Sequence, residues 1–210
     1  MGLSLITAPT IEPITNAELW DHLRLNLSGS PEQPTTREMN SAAQCLSAAV
    51  ALIDGRDGIL NRCLVPQTWE LTMDEFPFGD LISLPLSPVV SIDSIKYTDV
   101  NGAEQTFSAS SYSLSRETYW RPMVILGYNQ TWPSTRVIEE AVRIRFVSGF
   151  TSGNSPEDAT AVPKSLKQFI LLMAGHYFES REATVIGTIA TELPLGAKYL
   201  INPFMNKAVG

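Results

Sequence analysis

The sequence predicts an α+β protein: an α-helical bundle with an antiparallel β-sandwich or small barrel inserted between its second and third long helices. Three observations carry this. Residues 15–60 and 163–201 place apolar side chains at helical spacing. Residues 65–150 change to period two and are cut by turn residues. A Gly/Ser/Pro-rich stretch, GFTSGNSPEDATA at 149–161, then separates the β pattern from the returning helical one.

The elements follow in order. Leu3, Leu5 and Ile6, before Pro9 and Pro13, read as an extended arm that packs on something. Thr15-Asn-Ala-Glu18 is a capping box, and Leu19, Trp20, Leu23 and Leu27 give the first helix one apolar face, ending before Ser28-Gly-Ser-Pro31. Thr35-Thr-Arg-Glu38 opens a second, longer helix, from about Thr36 to Asp54. Met39, Ala42, Ala43, Leu46, Ala49, Val50 and Ile53 line one side, and Gly55 and Gly58 end it. Trp69, Leu71 and Met73 alternate with Thr68, Glu70 and Thr72 as a half-buried strand. Short strands are expected at 81–86, from Val90 through Tyr97, at 105–108, 112–114, 123–128 and 142–147, with Asp99-Val-Asn-Gly102 as a turn. Pro85 and Pro88 put the second of these strands at a sheet edge, or end it. Pro163 sits where a first-turn helical proline belongs. It leads the stripe Leu166, Phe169, Ile170, Met173 and Tyr177; a short terminal helix at 197–201 stops at Pro203. The expected organisation is nested: an N-terminal arm (1–14), a discontinuous helical domain (15–63 plus 157–202), an inserted β domain with its linker (64–156), and a C-terminal tail (203–210).

Bulk properties exclude several functions. The 210 residues are 44% hydrophobic and 18% charged, ordinary for a globular chain. A net charge of −7 argues against the broad basic surface of a dedicated DNA binder. It does not exclude a protein that lets DNA pass without gripping it. Cys45 and Cys63 make no framework and no metal motif, so two free thiols are expected, Cys45 as a small buried apolar group. MGLSLITAP is not a signal peptide by charge or length of apolar run, and no stretch is long enough for a membrane span.

The residues give no reaction chemistry. His22 and His176 each stand alone on a helix, without companions at ligand spacing. The turn around Asp99 lacks most of the acidic ligands of a calcium loop. The serines have no supported base, and there is no glycine-rich phosphate loop. Asp74-Glu75 and Glu139-Glu140 are sequence neighbours that point to opposite strand faces, poor geometry for an acid–base pair. No catalytic residue, metal or cofactor is expected. Aromatic residues crowd the β segment, mostly as core. Trp120 and Trp132 look loop-borne and are the candidates for exposed interface anchors. Glu179 and Arg181 are expected to meet neighbouring chains or the polar edge of their own bundle, with Tyr177 buried.

Several phrases carry a resemblance. They are LSLITAPTIEPIT (3–15), LWDHLRL (19–25), Gly55-Arg56, Val65-Pro-Gln-Thr-Trp69, Leu84-Pro-Leu-Ser-Pro-Val89, Ile95-Lys-Tyr97, Phe146-Val-Ser-Gly-Phe150, Pro163-Lys-Ser-Leu-Lys167 and His176-Tyr-Phe-Glu-Ser-Arg-Glu182. In this order, over roughly 5–203, the chain resembles the head–tail adaptor (connector, head-completion) proteins of tailed bacteriophages, in the longer form with an inserted β domain. The end departs from that pattern, with Tyr199-Leu-Ile-Asn-Pro-Phe204 in place of a Leu-Leu and an aromatic–Arg step. The resemblance implies a non-enzymatic structural protein of the virion, made in the host cytoplasm. It implies a homo-oligomeric ring, typically of twelve copies, docked beneath the portal protein. The ring would extend the DNA channel and offer a platform to a downstream stopper or tail-completion protein. It also sets the C-terminal end, Tyr199, Leu200, Ile201 and Phe204, against the portal. The alternative from a different class is a β-sandwich module that binds carbohydrate or a host surface, held on a helical stalk.

Overall fold

The computed structural model describes residues 1–25, 34–115, 117–151, 161–180 and 195–205. Among these it is a mixed α+β protein with four helices and two antiparallel sheets. The chain divides into two compact units, Met1–Ile11 with Arg62–Asp158, and Glu12–Asn61 with Ala159–Gly210.

The second unit holds α1 (Asn16–His22), α2 (Thr36–Ala51), α3 (Lys164–Glu179) and α4 (Leu195–Ile201). Both capping boxes form. The Thr35 hydroxyl accepts the Glu38 N–H at 3.3 Å, and the Glu38 carboxylate accepts the Thr35 N–H at 2.8 Å; Thr15 and Glu18 repeat the arrangement. α1 ends sooner than its apolar spacing suggests. Arg24 takes a positive φ of 57°, and the Leu25 N–H reaches the Trp20 carbonyl while the Arg24 N–H reaches that of Asp21. This is the helix-ending pattern usually built on glycine. Beyond Leu25, the expected stop at Ser28–Pro31 lies outside the described residues.

α2 buries Ala42, Leu46 and Ala49, with Ile53 just past its end, but Ala43 faces outward and Cys45 is only half-buried. Pro163 is the residue before α3 rather than its first residue; its carbonyl accepts from the Leu166 and Lys167 N–H groups. α3 packs on α1, α2 and α4 through the buried stripe Leu166, Phe169, Ile170, Met173. Tyr177 is half-buried. Lys167 Nζ lies 3.1 Å from Glu18 Oε1, tying α3 to α1.

The Thr35 hydroxyl is a good place to test the local physics. Thr35→Ala is expected to lower stability by about 1 kcal/mol at neutral pH. The Thr35 N–H and then its hydroxyl hold the Glu38 pKa below its ordinary value. A depressed folded pKa stabilises above the ordinary glutamate range, and that contribution is lost as pH falls through the folded value. The gap between wild type and Thr35→Ala should therefore narrow in acid, as read by urea unfolding at neutral pH and near pH ~3.

The first unit contains β1 (Gly2–Thr7), β2 (Gln67–Met73), β3 (Leu81–Ser83), β4 (Val89–Thr98), β5 (Glu104–Phe107), β6 (Tyr112–Leu114), β7 (Met123–Leu126) and β8 (Val142–Ser148). The large sheet runs β1-β2-β8-β4-β5 and the small one β3-β7-β6, every neighbouring pair antiparallel. The apolar arm read at the N-terminus is thus the edge strand β1, with Leu3 opposite Leu71 and Leu5 opposite Trp69.

The strand alternation turns Trp69, Leu71, Met73, Val142, Ile144 and Phe146 inward, where they meet Ile82 and Val124 of the small sheet in one core. In β4, register shifts between Val89 and Ser91 and between Ile92 and Ser94 break the strict period. Val89, Ile92 and Ile95, three residues apart, therefore all reach the core, while Val90 is exposed. Beyond β8 the backbone of Gly149 takes φ 147°, and a Cβ there would collide with the Val65 carbonyl carbon.

Candidate functional site

The outer face of the large sheet is wet and charged. Arg145 sits directly across from Glu70, their side chains 2.9 Å apart, and Glu104 is shared by Lys96 and Arg143. These exposed pairs contribute little each. These pairs set three cations against two carboxylates on this face, despite the acidic chain.

At one end of this unit lies a corner, residues 117–122, built over Arg62. The Arg62 side chain is buried; its guanidinium carbon lies 4.7 Å from the Tyr119 ring centre and 4.4 Å from that of Trp120. Its Nη1 also donates to the Tyr119 carbonyl at 2.8 Å. Burial pulls the Arg62 pKa below its ordinary value, with the nearby Tyr119 acting the other way. Trp120 is thus held on a cation while 41% of it stays exposed. Sequence reasoning missed Arg62. The only signal was a lone charge ahead of the apolar run Cys63-Leu-Val65. Arg62→Ala is expected to remove about 2 kcal/mol or more and to raise amide hydrogen exchange across 117–122, measured by mass spectrometry.

Trp132, expected as a second exposed anchor, is corrected by the structure. It is half-buried, stacks on Phe76 with centroids 4.9 Å apart and planes 6° apart, and touches Phe107 at 5.3 Å. Its Nε1–H donates to the Gly79 carbonyl at 2.9 Å. The ring is fastened from both sides and closes the core of the β unit. With Tyr97, Phe107 and Tyr112 also packed against that core, much of the aromatic crowd is internal rather than a sugar-binding platform.

The C-terminal residues separate into two kinds. Tyr199 is 70% exposed, Leu200 and Phe204 are half-buried, and Ile201 is 1% exposed. Ile201 and Ala197 are one helical turn apart and form the inward face of α4, so Ile201 belongs to the interior of its own unit. Pro203 lies within a single 3₁₀ turn, Asn202–Phe204, that follows α4. Glu179 is exposed at the end of α3; Arg181 lies outside the described residues.

A shallow groove of about 690 Å³ runs past Arg37, Gln44, Cys45 and Tyr177. Among the described residues no group of three His, Cys, Asp or Glu is placed to hold a metal ion. No described helix is long and apolar enough to cross a membrane.

These features lie on a two-unit α+β scaffold. No protein-family model matches the chain, and no curated protein matches it significantly. Solved structures do. The chain is similar over its whole length, and over 98% of the other chain, to a component of the neck of an empty gene transfer agent particle computed with C6 symmetry, at 26% identity and a TM-score of 0.77. A chain of the native gene transfer agent virion matches over the same shares at 26% identity and a TM-score of 0.76. A third, from the native particle's neck computed with C12 symmetry, shares the fold at 22% identity and a TM-score of 0.71. The structural neighbours are thus components of phage-like particles.

Proposed function

We propose that this chain is a structural protein of the head–tail neck of a tailed-phage-like particle, and within it the head–tail adaptor. The observation that carries the reading is the end-to-end likeness, both units included, to a component of a particle neck. In this reading residues 62–158 are an insertion in a discontinuous helical bundle, joined by β1 from ahead of α1, and the chain works without catalysis. Copies form a ring, taken as twelve, beneath the portal. The ring continues the DNA channel and presents a platform to a stopper or tail-completion protein. The C6 symmetry of that neighbour's neck favours a ring, since a sixfold axis accommodates twelve copies. The net charge of −7 suits a channel that DNA traverses without being held. Tyr199, with Leu200 and Phe204 beside it, forms the portal-facing contact, and Ile201 anchors the helix that displays them. Glu179 and Arg181 meet the neighbouring copy.

Negative-stain imaging of the protein mixed with purified portal complexes tests this. A ring of added density on one face of the portal is the expected result. Portal complexes that remain bare at saturating protein would refute the adaptor role.

A further inference from the structure

We propose that copies of this chain join head to tail through the β unit: the Trp120–Arg121 corner of one copy seats in an acidic, apolar groove at the opposite end of β2 and β8 of the next. The inference rests on the ring reading above and names the contact that builds the ring.

The groove has a volume of about 630 Å³, and its lining includes Met1, Met73, Asp74, Glu75, Val137, Ile138 and Glu139. Val137 is 99% exposed and Ile138 is 42% exposed. Two branched apolar side chains displayed together are costly to leave in water. Asp74, Glu75 and Glu139 form no ion pair among the described residues. The floor is braced, because the Glu140 N–H donates to Asp74 Oδ1 at 3.0 Å. The surface therefore asks for a partner that is flat and apolar and carries a cation.

The corner has that chemistry. Trp120 offers an exposed ring held from beneath by Arg62. Arg121 is exposed beside it and makes no ion pair among the described residues. Tryptophan and arginine are the residue types that most often dominate interface energies.

Position makes the match directional. The corner packs near the end of the β2–β8 pair where Gln67 faces Ser148: the Thr118 carbonyl accepts the Val89 N–H, and Tyr119 meets Phe150 with centroids 5.8 Å apart. The groove begins at the other end, where Met73 faces Val142. Seven strand residues separate the ends, roughly 20 Å. A two-fold pair would satisfy both corners and both grooves at once and stop at a dimer. The ring reading selects head-to-tail repetition instead, in which each corner meets the oppositely charged groove of the next copy and the rotation between copies closes the ring.

Charge exchange tests the pairing on the full chain, by sedimentation velocity over a concentration series, alone and with portal complexes. Arg121→Glu and Glu139→Lys are each expected to weaken self-association about tenfold or more, with thermal unfolding unchanged. An equimolar mixture of the two, and the double variant, should recover wild-type association, because each loop then again meets a groove of opposite charge. Val137→Ser should weaken association without any rescue by charge exchange. Single variants that associate as wild type does would overturn this contact and leave the ring reading standing. Weakening that neither the mixture nor the double variant restores would also overturn the pairing. A wild-type chain that stays monomeric at every concentration and beside portal complexes would refute the ring reading and the contact with it.

Discussion

Phe146→Ala is expected to destabilise the β unit by about 3–5 kcal/mol. Phe146 is completely buried in β8, flanked by Trp69 on β2 and Ile92 on β4. It stands in the middle of the five-stranded order, so the void left by its ring is walled by both neighbouring strands and cannot collapse from an edge. Val147, the next residue, points to the wet face and is half-buried. Val147→Ala should cost about 1 kcal/mol or less. Urea unfolding followed by tryptophan fluorescence measures both. Equal costs at the two positions would contradict the assigned inside and outside of the sheet.

The second large effect lies at the C-terminal end. Tyr199→Ser should leave folding nearly unchanged, within about 0.5 kcal/mol, because the side chain is mostly in water. Ile201→Ala should cost about 2–4 kcal/mol of folding stability, because that side chain is buried. In the proposed portal contact the order reverses. Tyr199→Ser should weaken co-sedimentation with portal complexes about thirtyfold, the loss typical of a strong interface residue. Portal binding by Tyr199→Ser at wild-type strength would remove this end of the chain from the contact.

The contrast between 199 and 201 shows where the sequence was informative. Thr-x-x-Glu at 15–18 and 35–38 announced both helix starts, because a capping box is a local device whose partners lie three residues apart. The alternation at 69–73 and 142–147 likewise showed the core faces of β2 and β8. The end of α1 was hidden, since an arginine occupies the backbone position that glycine usually marks. Trp132 was hidden for another reason. Its partners, Phe76, Phe107 and Gly79, are distant in sequence, and a residue between strands carries no period of its own. Arg62 was unreadable in the same way, since its two aromatic faces lie on a loop nearly sixty residues later. Ile201 was legible and passed over: its spacing from Ala197 already described an inward face.

The edge strand β1 has a consequence for how the chain is made. Gly2 pairs with Thr72, so this strand has no partner until the whole of α1 and α2 has been synthesised. At roughly 5–20 residues per second, that delay is on the order of ten seconds. During it, an uncharged strand bearing Leu3, Leu5 and Ile6 waits with both backbone edges open. Behind it β2 waits for β8, and α2 waits for α3, which is made later still. The five-stranded sheet closes by non-local pairing once β8 is made, before α3 and α4 complete the helical unit, and crowded expression should trap chains at the nascent β1 edge in the interval before β2 appears.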